Sequence, residues 1–333
     1  MLDDRRTAVL QALVEEYIAT GQPVSSNAVL RRSGMAVSSA TIRNDLARLE
    51  SYGFVEQPYT SAGRVPTPQG YRFYVDHASP GRLRAATRSR IESFFNDVHH
   101  ELSRLLKETT GLLSDLSHYP AVVIGPGFAG ESVRAFHLVP LAGDVVLAVM
   151  VSASGRVSQN VVSMPLTPTD AQLEEAETLL AQALDNQPIS AAIDRIEALP
   201  ADLIAQEVLS VTRAVGKALC SVDASTREVY VGGTAQLAEL WQDLAHVHTI
   251  LGLLDRDESL RRLLDDESAV TTVRLSGEMD VHDVDLAVVS GPYDAGEHGR
   301  GRVGVLGPMR MDYRRTIRIV EEVGDNLGDS LGR

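Results

Sequence analysis

Three glycines, Gly21, Gly34 and Gly53, divide the start of the chain into three short helical segments, and this punctuation constrains the fold more than any other feature. Residues 3–20 place Val9, Leu13, Val14, Tyr17 and Ile18 on one stripe at helical spacing, and Gly21 supplies a stop. Ser25 or Ser26 can cap a second helix ending near Gly34. Ser38 can cap a third, running from Ser39 to about Tyr52 and closed by Gly53. Residues 55–58 and 64–66 then read as short strands around a loop rich in Thr, Ser and Gly. Three helices followed by a hairpin is the order of a winged helix-turn-helix, expected over residues 1–76.

In the third helix, Ile42, Leu46 and Leu49 share the inward face. At about 100° per residue, Ala40, Arg43, Asn44, Ala47 and Arg48 point the other way. Small alanines let such a helix sit deep in a major groove. Arg matches guanine, Asn matches adenine, and the methyls of Thr or Ala match thymine. Ser39 and Thr41, with the first backbone amides, suit a phosphate. The loop Tyr59-Thr60-Ser61-Ala62-Gly63-Arg64 adds hydroxyls, a flexible glycine and a guanidinium for a minor groove or a phosphate. The candidate DNA contacts are therefore Ser39, Ala40, Thr41, Arg43, Asn44, Arg48, Thr60, Ser61, Gly63 and Arg64. The competing reading is a solvated helix in a module that contacts protein.

A formal net charge of −14 argues at first against a nucleic-acid binder. The charge is uneven, however. Residues 1–76 hold eight arginines and eight acids, so the whole excess lies in the remainder. A neutral, arginine-studded module on an acidic body discourages DNA from binding elsewhere on the surface. The single cysteine, Cys220, allows no intramolecular disulfide and fits a reducing compartment. Its neighbours Ala218 and Leu219 mark it as a buried small hydrophobe. No apolar run approaches the ~18–20 residues of a membrane span. Met1-Leu2-Asp3-Asp4-Arg5-Arg6 lacks the apolar core of a signal peptide. A cytoplasmic protein without a membrane partner is expected.

Residues 77–90 are polar, contain Pro80 and Gly81, and read as a linker. A long helix is expected at about 88–118. Its Ile91, Phe95, Val98, Leu102, Leu105, Thr109, Leu112 and Leu116 alternate spacings of four and three. Such a heptad seam either pairs with its twin in a dimer or packs on a sheet. Strands are expected at 121–124, 133–141, 145–152 and 156–164, then helices at 172–184 and 199–219. A short strand at 228–231, helices at about 235–246 and 247–265, strands at 270–276, 284–290 and 302–306, and a helix at about 312–329 complete the chain. The order suggests an α+β body carrying a large helical insertion.

Several motifs fall short of chemistry. Gly125-Pro126-Gly127-Phe128-Ala129-Gly130 spells G-x-G-x-x-G, but a strand follows it where a dinucleotide site needs a helix. His99-His100 and His246 with His248 lack further metal ligands. The acids at 255–258 and 265–267 lack EF-hand spacing. No nucleophile–base pattern stands out, so neither an enzyme nor a cofactor or metal site is expected. In residues 307–313, Gly307-Pro308 fits a turn after a strand and Asp312 can cap the last helix, which favours a structural reading.

The longer motifs carry a resemblance. Tyr17-Ile18-x-x-Gly21-x-Pro23-Val24-Ser25-Ser26 is followed by Val37-Ser38-Ser39-Ala40-Thr41-Ile42-Arg43-Asn44-Asp45-Leu46-x-x-Leu49-Glu50. Then come Gln57-Pro58-Tyr59-Thr60-Ser61-Ala62-Gly63-Arg64-Val65-Pro66-Thr67 and Gly70-Tyr71-Arg72-x-Tyr74-Val75. Together with Gly304-Val305-Leu306-Gly307-Pro308-Met309-Arg310-Met311-Asp312-Tyr313, they resemble the heat-inducible transcription repressor family (HrcA) at both ends of the chain. The sequence departs from the family's pattern at Tyr59, where His is usual, and at Met309, where Thr is usual.

The resemblance implies an α+β protein in which the winged helix (1–76) and linker (77–90) precede a GAF-like domain (91–165 and 233–333). That domain would be interrupted by an inserted helical dimerisation domain (166–232). It also implies a homodimeric repressor on an inverted-repeat operator of chaperone operons, kept active by the chaperonin. By the same resemblance the DNA contacts are Ser39, Thr41, Arg43, Asn44 and residues 60–64. The alternative is a winged-helix regulator that senses a small molecule and controls other genes.

Overall fold

The computed structural model describes residues 2–97, 102–127, 132–153, 155, 157–164, 166–185, 194–200, 203–225, 227–241, 243–264, 268–279, 281, 284–296 and 299–332. Helix α1 (Asp4–Thr20) starts where the Asp3 carboxylate accepts the Arg6 amide, and stops at Gly21, which is left-handed at φ 64°. Helix α2 (Ser26–Ser33) repeats the device with Ser25 and with Gly34 at φ 61°. Helix α3 (Ser39–Ser51) is capped by Ser38, whose hydroxyl accepts the Thr41 amide. Strands β1 (Val55–Glu56) and β2 (Val65–Pro66) pair antiparallel, and a further bridge joins Arg64 to Val24 between α1 and α2. Val9, Leu10, Leu13, Val29, Ile42, Leu46 and Leu49 close the three helices on one another.

A fourth helix, α4 (Pro68–His77), has no counterpart in the sequence reading. It opens on a Thr67 cap with proline in its first turn, and buries Tyr71, Tyr74 and Val75. Two of its three large buried side chains are tyrosines, which a binary polar–apolar pattern does not score as core.

The body holds a five-stranded, fully antiparallel sheet in the order β7 (Val229–Gly232), β3 (Ala121–Ile124), β10 (Arg300–Gly307), β9 (Ala287–Asp294), β8 (Thr272–Leu275). Alternate residues leave opposite faces of a strand. Ala121, Val123, Val289, Val303 and Val305 join a core shared with α5 (Ala85–Asp97), α6 (Leu102–Ser117) and the last helix. Val122, Ile124, Val288 and Leu306 face a second core with Trp241, Ile250, Leu260 and Leu264. Those residues belong to, or adjoin, α9 (Leu237–Leu240), α10 (Leu244–Leu254) and α11 (Asp257–Leu264). Cover on both faces explains why β3 reads as an unbroken apolar run. No helix among the described residues is long and apolar enough to cross a membrane.

The heptad seam resolves in favour of packing within the chain. Ile91, Phe95, Leu105, Leu112 and Leu116 are buried in the first core, so they offer no surface to a twin. Helix is described on both sides of residues 98–101, as α5 and α6, within and just before the expected span of 88–118. Residues 98–101, with His99 and His100, lie outside the described residues, as do 128–131 of the glycine turn, 265–267 of the acidic cluster and the side chain of Cys220.

Strands β4 (Val133–Ala142), β5 (Val145–Ser152) and β6 (Val157–Ser163) form a separate three-stranded meander. Phe136, Leu138, Val146, Met150 and Val162 pack on Leu173, Leu180 and Leu184 of α7 (Asp170–Leu184) and on Val208, Val211 and Val215 of α8 (Gln206–Ser225). This unit has its own core. A domain boundary at 166 cuts through that core, because local strand signals do not reveal which sheet a strand joins. Helix α8 also starts later than the expected 199.

Residues 77–90 are held in place rather than spanning freely. The Gly81 amide donates to the Arg314 carbonyl at 2.8 Å, and Arg314 Nε donates to the Ser79 carbonyl at 3.2 Å. Arg72 Nη1 donates to the Val273 carbonyl at 2.8 Å and pairs with Glu278 at 3.1 Å. The first core runs without a break from α1–α4 to the last helix, α12 (Tyr313–Leu331), which is capped by Asp312. At its centre Tyr313 is fully buried, its ring 6.4 Å from Tyr71 and 6.3 Å from Tyr74, and its hydroxyl donates to the Met309 carbonyl at 2.6 Å.

Burial pushes the Tyr74 phenol up to about 12 and holds Tyr71 and Tyr313 well above their ordinary value. Ionisation therefore disfavours the folded state, and stability is lost as pH rises past the unfolded value of 10.0. Urea melts should show Tyr313→Phe losing about 1 kcal/mol with its hydrogen bond. Tyr313→Ala should lose about 3–5 kcal/mol and expose residues 77–90 to protease. Equal losses for the two variants would contradict a packing role for the ring.

Candidate nucleic-acid interface

Helix α3 presents its outer face to solvent because its other face is anchored. Asp45, which the sequence counts as an acid on this helix, has a side chain only 3% exposed and points inward. Arg5 grips it with two hydrogen bonds, from Nε at 2.8 Å and Nη2 at 3.0 Å, and Arg6 lies 3.5 Å away. That pairing ties α3 to α1 and raises the Arg5 pKa, first through the hydrogen bond and then through the carboxylate charge. It also removes a negative charge from the outer surface. Glu50, at the other end of the helix, is likewise engaged by Arg64, at 2.8 Å and 3.1 Å.

What remains outside is cationic and polar. Ala40, Arg43, Asn44, Ala47 and Arg48 are all exposed, at the i, i+3, i+4, i+7 and i+8 positions of one helical face. Among the described residues neither the Arg43 nor the Arg48 side chain makes a hydrogen bond or ion pair. Two small residues, Ala40 and Ala47, share this face with two guanidinium donors and one amide, so the backbone can approach a partner closely while the longer side chains remain free to reach it.

Ser39 and Thr41 are placed differently. Ser39 Oγ lies 3.1 Å from Ser26 Oγ on α2, and Thr41 Oγ1 lies 2.9 Å from the capping Ser38 Oγ. Both hydroxyls are half-buried in the helix–turn–helix joint.

The hairpin loop divides in the same way. Thr60 and Ser61 are exposed at its tip, with Tyr59 beside them at 62% exposure. Gln57 Nε2 donates to the carbonyls of Thr60 (2.9 Å) and Ala62 (3.0 Å), which fixes the loop from inside. Gly63 approaches the α1–α2 connection so closely that a Cβ there would meet the Val24 carbonyl oxygen at 2.4 Å. Its role is proximity, not flexibility. Arg64 is only 20% exposed, bridges to Val24 and holds Glu50, so it braces the base of the loop against α3 instead of standing at the tip. The Arg64–Glu50 brace and the Asp45 anchor join segments that local pattern treats separately, so the sequence does not reveal them, whereas the Gln57 staple closes within one loop.

The model described as HrcA protein C terminal domain matches residues 103–317. The chain belongs to the HrcA family. The heat-inducible transcription repressor HrcA of Frankia casuarinae is 36% identical, covering 100% of this chain and 99% of its own length. The protein of the same name in Symbiobacterium thermophilum is 32% identical over 99% and 98% of the two chains. A crystal structure of a hypothetical protein, 24% identical, aligns over 100% of this chain and 99% of its own with a TM-score of 0.63, which supports the fold. HrcA-family membership thus spans the module as well as the matched C-terminal region.

The brace in this HrcA-family chain is testable by a double-mutant cycle. Glu50→Ala and Arg64→Ala should each lower stability, and the pair together should cost no more than the worse single change. A coupling of about 0.5–1 kcal/mol is expected for so partly exposed a pair. Strict additivity in urea melts would show that the contact carries no energy.

Proposed function

We propose that the first 76 residues act as a winged helix whose α3 enters the major groove of an operator, and that the chain is a heat-inducible transcription repressor of chaperone operons. The observation that carries this reading is the outer face of α3. Among the described residues Arg43 and Arg48 have no side-chain partner there, while Asp45 and Glu50 are engaged by Arg5 and Arg64. A module neutral by count is therefore positive where it would meet DNA. The relatives' name, heat-inducible transcription repressor, supports the biological role.

In this reading Ala40, Arg43, Asn44 and Arg48 read or approach bases. Thr60 and Ser61 contact the backbone or minor groove from the loop tip. Ser39, Thr41, Gly63 and Arg64 hold helix and loop in register, with the Ser39 and Thr41 hydroxyls also within reach of a phosphate. The expected target is an inverted repeat, because a two-fold dimer presents two such helices. We place the dimer contact on the outer face of the β4–β6 sheet. Val139, Leu141, Val157 and Val161 are exposed there, next to half-buried Val145, Leu147, Val149 and Val151. An apolar sheet face of this kind favours a second copy as its cover. The chaperonin is the expected modulator of activity, and the cytoplasm the expected site of action.

Binding to an inverted-repeat duplex, followed by fluorescence anisotropy, tests the reading. Arg43→Ala and Arg48→Ala should each cost about 1–3 kcal/mol if they contact bases, and a phosphate contact should instead flatten the salt slope by about one unit. Val161→Asp should yield monomers by sedimentation and weaken operator binding with α3 untouched. Wild-type affinity in both arginine variants would overturn the assignment of the reading face.

A further inference from the structure

A cleft of about 990 Å³ lies where the N-terminal module meets the body. Its walls come from α1 and α2, from residues 81–87, and from the stretch between Pro308 and Arg315. Six guanidinium groups line it: Arg32, Arg82, Arg84, Arg310, Arg314 and Arg315. Only two carboxylates line it, Glu15 and Asp312, and Glu16 just outside pairs with Arg32 at 3.3 Å, leaving an excess of about three positive charges in a chain whose net charge is −14.

Both carboxylates are already engaged. Glu15 is shared between Arg32 and Arg314, each at 3.5 Å, and Asp312 accepts the Arg315 amide as the cap of α12. Among the described residues the exposed side chains of Arg82 and Arg84 make no hydrogen bond or ion pair. Arg310 reaches the Leu240 carbonyl only at 3.5 Å. Such a concentration of like charge in a concavity raises the local potential and favours anions with several charges. Half-buried Tyr119 and Leu83 give the same cleft an aromatic and an apolar surface. No residue of α3 or of the loop tip lines it, so it is separate from the proposed reading face.

We propose that this cleft binds a small polyanion of the nucleoside polyphosphate class, its phosphates held by the arginines and its ring against Tyr119. The volume suits a ligand of that size, at the upper end of the ~300–1,000 Å³ typical of small-molecule sites. Because module, connecting segment and body all contribute walls, occupancy bears on how the module is held. Any change the ligand makes in operator affinity must be matched by an equal change of the operator on ligand affinity.

Titration calorimetry on the full chain, without DNA, tests the site independently of the operator reading. ATP should bind saturably, pyrophosphate more weakly, and adenosine not at all. Arg82→Glu with Arg84→Glu should weaken ATP binding by at least about tenfold, the loss of two charge-assisted contacts. Both positions are exposed, so the unliganded melting temperature should not fall, and Arg82→Ala with Arg84→Ala should give an intermediate loss of ATP binding. Absence of saturable binding by ATP and pyrophosphate would overturn the proposal, as would unchanged binding in the variants. Loss of DNA affinity in the variants, without ATP binding in the wild type, would assign the cleft to the DNA backbone and equally overturn it.

Discussion

The structure depends on the burial of one ring. Tyr313 sits between the N-terminal module and the five-stranded sheet, with Tyr71 and Tyr74 against it and its hydroxyl satisfied by the Met309 carbonyl. A buried tyrosine needs both a dry pocket and a partner for its oxygen. The turn at Pro308 and the Asp312 cap supply the second by bringing the Met309 carbonyl back over the start of α12. The module's position then follows from this seat, and the polar ties of Arg72 and Arg314 fix its orientation around the rim.

A second constraint is electrostatic. Equal numbers of acids and arginines over residues 1–76 convey little about DNA until side-chain direction is known. Directing Asp45 inward and engaging Glu50 with Arg64 converts neutrality into polarity without changing the count. The same two pairs also set geometry, since one joins α3 to α1 and the other joins α3 to the hairpin. Charge presentation and mechanical bracing are thus the same set of contacts viewed from two sides.

Much of this was legible in order of residues. Glycines at 21 and 34 and serines at 25 and 38 marked the helix ends because caps are local chemistry. The outward set from Ala40 to Arg48 followed from helical period alone. The strands of the body were found to within a few residues by apolar runs and turns. What local pattern could not supply was partnership. The seam from Ile91 to Leu116 has the spacing of a coiled coil, but whether it meets a twin or its own sheet depends on α12, more than two hundred residues on from its start. Strands β4–β6 resemble β3 in composition, so their departure into a separate sheet was invisible. Arg64 looked like a tip residue because its partner, Glu50, lies beyond the hairpin.

The continuity of the core between α1–α4 and α12 bears on how the chain is made. Synthesis produces the N-terminal module well before the α12 residues that seat it. Until residues near 313–331 leave the ribosome, the tyrosines of α4 have no ring to pack against and residues 77–90 have no Arg314 to hold them. A nascent chain therefore lacks the α12 seat throughout translation of the body, with the Arg72 ties to Val273 and Glu278 available before it. Full seating of the module is a property that the polypeptide acquires only once α12 is made, through contacts of high sequence separation.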